Sequence, residues 1–223
     1  MPHSGTAGGF DRRVIAAAYD GAAAEYAAKF ADDLAGLPLD RELLDSIRQR
    51  AGGGGPVLDI GCGPAQAGAY LAARGARVAG LDVAPGMLAA AAGRHAALRQ
   101  DGLLGLAAAD MRALPVAGGS CTAAVSLYAL HHLPRAELPT VLREFRRVLA
   151  SSGVLLLATH EGAGEFATAN PRIMGTRYTG GELRRALARA SFRVDQIRQR
   201  DPLPHEMQSG RIYVIAAAVS AHG

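Results

Sequence analysis

Short apolar runs recur along the chain at intervals that suit strands alternating with helices. VLDIGCG at 57–63 and RVAGLDV at 77–83 are each built on Val, Leu, Ile or Ala and carry an acid, Asp59 or Asp82, with glycine nearby. Runs this short and continuous suit strands of a parallel sheet covered on both faces. AAADM at 107–111, AAVSLYALHHLP at 123–134 and SSGVLLLATH at 151–160 come where a repeated strand-helix unit should place the next three strands. FRVDQIRQR at 192–200 and RIYVIAAAV at 211–219 then read as two adjacent strands with no helix between them. Residues 13–50 read as helices, with Tyr19 and Tyr26 seven positions apart and therefore on one face. AGGGGP at 51–56 is a flexible approach to the first strand, and residues 1–12 are glycine-rich and polar, as expected of a mobile terminus.

The first strand carries the chemistry. Gly61 and Gly63 can take the positive φ of a tight strand-to-helix turn, and with no Cβ their backbone can touch a ligand. Asp82, at the end of the second run, is placed to accept both hydroxyls of a ribose at the carboxyl edge of the sheet. A dinucleotide fold is the obvious rival, but Gln66 stands at the third glycine position of its fingerprint. Asp59, two residues before the first glycine, would also sit awkwardly beside a pyrophosphate, because two anions would share a small volume. The site suits a cationic ligand.

These residues, in this order, resemble the first motif of class I S-adenosylmethionine-dependent methyltransferases, and the likeness runs from about residue 18 to about 219. It implies a Rossmann-like α/β fold: a seven-stranded mixed sheet with helices on both faces, an antiparallel last strand and an N-terminal helical lid. It implies S-adenosylmethionine as cofactor, with Asp59 helping to hold the loop and the methionine ammonium. Asp110 would receive the adenine amino group and Met111 would cover the ring, with Tyr19, Gly61, Gly63, Asp82, Val83, Met87 and Leu127 completing the cofactor site. The pattern YDGAAAEYAAKF is similar to the family's aromatic lid; Tyr26 is a substrate-side candidate, or simply a core residue.

Several positions depart from the family pattern. Ala65 stands where a third glycine is common and asks that position for negative φ. Cys121 and Thr122 open the fourth strand in place of an aromatic and an acid, Ser151 and Ser152 replace a Pro-Gly turn, and Ser191 replaces a glycine before Phe192. They leave open a protein of this fold that binds the cofactor without transferring methyl.

The expected organisation is a terminus over 1–12, a lid over 13–50 and a cofactor-binding domain over 51–223. That domain carries a long irregular insertion at about 161–181. Insertions of that length are usually functional, and Arg172, Arg177 and Tyr178 within it are candidate substrate-facing groups. TGGE at 179–182 matches a capping box and sets the start of the next helix. His131 and His132, at the exit of the fourth strand, are candidate bases for an acceptor that must lose a proton, or shape and hydrogen-bonding residues. His160 and His205 are weaker candidates.

Composition narrows the alternatives. At 223 residues, with 49% hydrophobic positions, the chain can bury one substantial core plus a lid. Its charge of +4 raises the question of nucleic acid. Arg143, Arg146 and Arg147, and likewise Arg184, Arg185 and Arg189, read instead as solvated helix faces. SLYALHHLP also lacks the Pro-Pro-aromatic element of enzymes that methylate base amino groups. Cys62 and Cys121 form no C-x-x-C pair, which argues against a disulfide framework and a metal site. No run approaches the roughly 18 apolar residues that cross a bilayer, and the start lacks a signal-peptide core. A cytoplasmic methyltransferase acting on an O, N, S or C atom of a small molecule is expected, with neither nucleic acid nor membrane as partner. RNA or protein as substrate is a lesser alternative.

Overall fold

The computed structural model describes residues 8–29, 33–52, 54–168, 170–204 and 206–219. The apolar runs become one seven-stranded sheet. Its strands are β1 (Val57–Ile60), β2 (Val78–Asp82), β3 (Leu104–Ala108), β4 (Cys121–Leu127), β5 (Leu149–His160), β8 (Phe192–Arg200) and β9 (Arg211–Ala218). They lie in the order β3-β2-β1-β4-β5-β9-β8, with β1 to β5 parallel and β9 antiparallel to both β5 and β8. The seven-stranded mixed sheet and the antiparallel ending are as expected.

Side-chain alternation divides the core into two. Leu58, Leu155, Leu157, Val214 and Ala216 face one side, and Val57, Leu156, Ala158, Tyr213 and Ile215 the other, the two-residue period of a strand. Helix α6 (Leu138–Val148) covers the first face with Leu138, Val141, Leu142, Phe145 and Val148, a stripe at helical spacing. Beside it lies α7 (Gly180–Arg189), whose Thr179 cap takes the Glu182 backbone N–H while Glu182 takes that of Thr179. The capping box sits where the sequence puts it. Helices α2 (Pro38–Ala51) and α3 (Gln66–Ala72) cover the second face, through Leu44, Ile47 and Leu71. Helices α4 (Pro85–Arg94) and α5 (Ala96–Gln100) lead from β2 to β3.

Three local expectations change. Segment 161–181 is not irregular throughout: β6 (Glu165–Ala167) pairs antiparallel with β7 (Met174–Thr176), and Gly175 lets the Phe166 ring lie directly on the backbone. The turn expected at Ser151 and Ser152 is a bulge, because Cys121 pairs with Leu149 but Ala123 with Val154. Ala65 and Ser191 both have φ of 60°, so each keeps the left-handed backbone that glycine would take rather than the negative φ expected of Ala65.

Helix α1 (Arg12–Lys29) buries only Ile15 and Ala23, so polar contacts do much to hold it. Arg12 Nη1 donates to Asp110 at 2.8 Å, the Gly86 N–H at the start of α4 donates to Asp20 at 2.6 Å, and Tyr19 OH shares a hydrogen bond with His132 Nε2 at 2.8 Å. The end of the terminus packs too: Phe10 is buried and Gly9 abuts Met174, while residues 1–7 lie outside the described set. Of the six arginines read as solvated, Arg146 donates to the Leu149 and Val219 carbonyls and Arg147 to those of Leu114 and Val116, so these two tie elements together. Among the described residues, no helix is long and apolar enough to cross a membrane.

Candidate functional site

A cavity of about 880 Å³ opens at the carboxyl edge of the parallel strands, roofed by α1. One half is built by the ends of β1, β2 and β3. After Ile60 the chain turns through Gly61 (φ 70°) and Gly63 (φ 52°). Asp82 fixes the turn, its Oδ2 accepting the Gly63 N–H at 2.8 Å and its Oδ1 the Ala84 N–H at 2.9 Å. Asp59, 2% exposed, accepts the Gly68 N–H at 2.8 Å. A Cβ on Gly68 would stand 2.9 Å from that same carboxylate oxygen, so the first turn of α3 can approach Asp59 this closely because it carries glycine there.

This half is acidic. Burial, and secondarily the charge of Asp82, push the Asp59 carboxyl up to about 7, and burial raises Asp82 with a further contribution from Asp20. Asp82 opposes the ionisation of Asp59, and Asp20 that of Asp82, so this half disfavours a phosphate and favours a cation. A cofactor with a sulfonium and an ammonium fits these residues. Gly63 has no atom within 4 Å of the Cβ it lacks, so the cavity reaches its backbone.

The sequence-predicted cofactor residues meet here: Tyr19, Asp59, Gly61, Gly63, Asp82, Val83, Met87, Asp110, Met111 and Leu127 all line the cavity. Asp110 is nevertheless heavily engaged. Its Oδ1 accepts from the Arg112 N–H and Nη1, and its Oδ2 from Arg12. Burial pushes this carboxyl up, but those donors pull it further down, to a net lowering. Three of its roughly four acceptor positions are filled, which leaves one for a donor on a ligand.

The other half lies at the ends of β4 and β5 and the start of β9. His131, 6% exposed, and His132 pack with ring centroids 3.8 Å apart and planes tilted by 45°, and each keeps a buried Nδ1 with no partner in the protein. Arg211 donates to His160 Nδ1 at 3.3 Å. Burial drives His132 down to about 4, burial followed by Arg211 drives His160 down to about 4, and His131 lies well below its ordinary value. All three imidazoles are neutral at pH 7, in the protonation state of a base. His205 lies outside the described residues.

The other substrate-side candidates separate. Tyr26 lines the cavity and packs edge-on to Tyr19, with ring centroids 5.8 Å apart. Arg172 is exposed, Arg177 lies over the Phe166 ring, and Tyr178 is wholly buried beneath Arg135; none of the three lines the cavity. From the same insertion, Thr168, Asn170 and Ile173 reach it instead. The sequence reading missed Asp40, Tyr128, Glu206 and Arg211, which also line it. A first-turn acid on an amphipathic helix and a tyrosine after a strand carry no signal of their own.

These buried groups give stability opposing pH slopes. Unfolded histidines take protons near 6.5 and the folded ones resist until about 4, so their contribution falls as pH drops through that range. Asp59, raised from 3.8 to about 7, contributes most below pH 4 and loses that contribution as pH rises to 7. Asp40 and Asp82 shift in the same direction as Asp59, so variants are needed to separate the two sets. In thermal unfolding at pH 4.5 and 7.0, His132→Gln is expected to lose less stability on acidification than the parent, and Asp59→Asn to lose more. The opposite ordering would refute both assignments.

A family model described as a methyltransferase domain matches residues 57–153. A malonyl-(acyl-carrier protein) O-methyltransferase from Halorhodospira halophila is 33% identical over 178 residues, covering 73% of this chain and 55% of that protein. The chain thus spans about half the length of the curated relative it matches. Among solved structures, a 1,6-didemethyltoxoflavin-N1-methyltransferase from Burkholderia thailandensis, with 1,6-didemethyltoxoflavin and S-adenosylhomocysteine bound, superposes with a TM-score of 0.78 at 18% identity. It covers 99% of this chain and 94% of its own. The cyclase SpnF superposes with a TM-score of 0.72 at 17% identity over 93% of this chain and 97% of its own. Identities this low show a shared fold.

Proposed function

We propose that the chain is a class I S-adenosylmethionine-dependent methyltransferase that moves the methyl group of S-adenosylmethionine to a small-molecule acceptor. The observation that carries this reading is the acidic glycine turn: Asp82 holds the Gly63 N–H at 2.8 Å beside buried Asp59, at the mouth of one deep cavity. Gly61 and Gly63 would receive the amino-acid part of the cofactor, Asp82 the ribose, and Met111 with Asp110 the adenine. When bound, the cofactor supplies an electrophilic methyl on a positively charged sulfur. The chain's own part is to hold the acceptor in line and keep water out, and positioning of that kind can supply on the order of 7–11 kcal/mol. His131 and His132, neutral and lining the cavity, are the candidate groups to take a proton from a hydroxyl or ammonium acceptor.

A small acceptor is supported by the cavity itself, whose far half ends in buried polar side chains within the fold. Binding without transfer was suggested by the replaced glycines, yet Ala65 and Ser191 hold the backbone a glycine would hold, which favours the enzyme. Incubation with methyl-labelled S-adenosylmethionine and a broad metabolite extract is expected to label low-molecular-weight products. Label found only on RNA or protein would defeat the small-molecule reading. S-adenosylmethionine binding with no transfer to any acceptor would favour the non-methylating alternative.

A further inference from the structure

Asp40, on the first turn of α2, is 2% exposed and belongs to the cavity wall, and its Oδ1 is buried with no hydrogen-bond partner in the protein. Its other oxygen is well provided for. Tyr213 OH donates to Asp40 Oδ2 at 2.8 Å, Arg200 Nε donates to the Tyr213 oxygen at 3.0 Å, and Tyr128 OH lies 2.5 Å from the same oxygen. Because the Tyr213 proton is committed to Asp40, Tyr128 must be the donor in that last pair. Tyr128 is held in place for this at a cost, since its φ of 55° is a left-handed backbone that a bulky residue avoids. A carboxylate oriented by a relay of two tyrosines and an arginine, with Oδ1 buried and unpaired at the edge of a cavity, has the form of an acceptor that a donor from outside the protein would satisfy. An unmatched buried acceptor is costly, and a ligand N–H removes that cost.

The surroundings narrow the ligand. Four charged side chains are gathered here, and they balance: Arg200 holds Glu206 through two bonds of 2.6 and 2.8 Å, Arg211 approaches Glu206 at 3.8 Å, and Arg200 approaches Asp40 at 4.0 Å. A balanced set in a low-dielectric pocket gains nothing from a further net charge. The walls nearby carry the rings of Tyr128, His131 and His160, packed on one another at centroid distances of 4.9 to 6.1 Å, which favours a ring among them. We propose that Asp40 Oδ1 is the anchor of the methyl acceptor, and that the acceptor is a neutral planar ring presenting a nitrogen-bound hydrogen to it. The assignment rests on the methyltransferase reading for what happens to the bound ring, whereas the anchor itself can be tested by binding alone.

The probes are benzimidazole and 1-methylbenzimidazole, both neutral at pH 7.5, which share a planar ring and a ring-nitrogen acceptor and differ in the N–H. Each is titrated into the full chain, with and without S-adenosylhomocysteine, by calorimetry or ligand-observed NMR. The parent protein is expected to prefer benzimidazole by about tenfold or more, the value of one charge-assisted hydrogen bond. In Asp40→Asn, Tyr213 will hold the carboxamide oxygen, so the amide N–H₂ takes the place of Oδ1 and offers a donor where an acceptor stood. The preference should then vanish or reverse. Equal binding of the two probes by the parent, failure of benzimidazole to bind, or a preference that survives in Asp40→Asn would overturn the proposal. The parent comparison decides even if the variant does not fold. Failure of S-adenosylhomocysteine to bind while the preference holds would instead count against the methyltransferase reading and leave the anchor standing.

Discussion

Replacing Asp82 by alanine is expected to weaken S-adenosylmethionine binding by about 2–3 kcal/mol, because hydrogen bonds to a charged group are worth about that much. Calorimetric titration should show this as a rise in Kd of roughly 30- to 160-fold. The structure gives Asp82 a second task, since its two oxygens also accept the N–H groups of Gly63 and Ala84. The substitution therefore removes a ribose partner and frees the glycine turn that the ligand must meet. Both losses act on binding. The β2 strand that carries Asp82 is held by its pairing with β1 and β3 and needs nothing from this carboxylate, so the variant should remain folded. Unchanged affinity in a folded variant would show that the ribose lies elsewhere, and binding of NAD would reopen the dinucleotide reading.

What the sequence revealed and what it hid divide along physical lines. Strand positions were legible because burial on both faces leaves a continuous apolar run, as in β1, and because the Thr179 capping box is a local contract between residues three apart. The cofactor half was legible for a similar reason: Asp59, the glycines and Asp82 lie on two successive strand ends, so spacing along the chain nearly reports spacing in the fold. The acceptor half was not. Asp40, Tyr128 and Tyr213 come from α2, the exit of β4 and β9, and meet only because the antiparallel last strand returns its start to the carboxyl edge beside β5. Arg12 and Asp110 are 98 residues apart and pair across the roof of the cavity, a contact that leaves no trace in local pattern. Tyr178 misled because it stands in a polar insertion, yet the insertion folds back as a hairpin and drives the ring into the core beneath Arg135.

Gly61 and Gly63 look interchangeable in the sequence, and alanine at each is expected to fail in a different way. Both have positive φ, so each substitution carries a strain of about 1–2 kcal/mol for a left-handed alanine. At Gly61 the new Cβ would also collide with the Cβ of Ala129 and come 3.6 Å from Met111 Cε. Ala129 follows strained Tyr128 and is itself buried, so it has little room to withdraw, and overpacking of this kind costs a further ~1–3 kcal/mol. Gly61→Ala should thus lose about 2–5 kcal/mol in denaturant unfolding, enough to threaten the fold of a marginally stable domain. At Gly63 there is open space, so Gly63→Ala should lose only the strain. Its methyl group enters the cavity where the backbone would meet the cofactor, and the deficit should appear in titration with S-adenosylhomocysteine as weakened binding by a folded protein. A Gly63→Ala variant that binds normally would mean that the ligand does not approach this turn. A Gly61→Ala variant as stable as its parent would mean that Ala129 can move, and the exit of β4 would then be softer than the strain at Tyr128 implies.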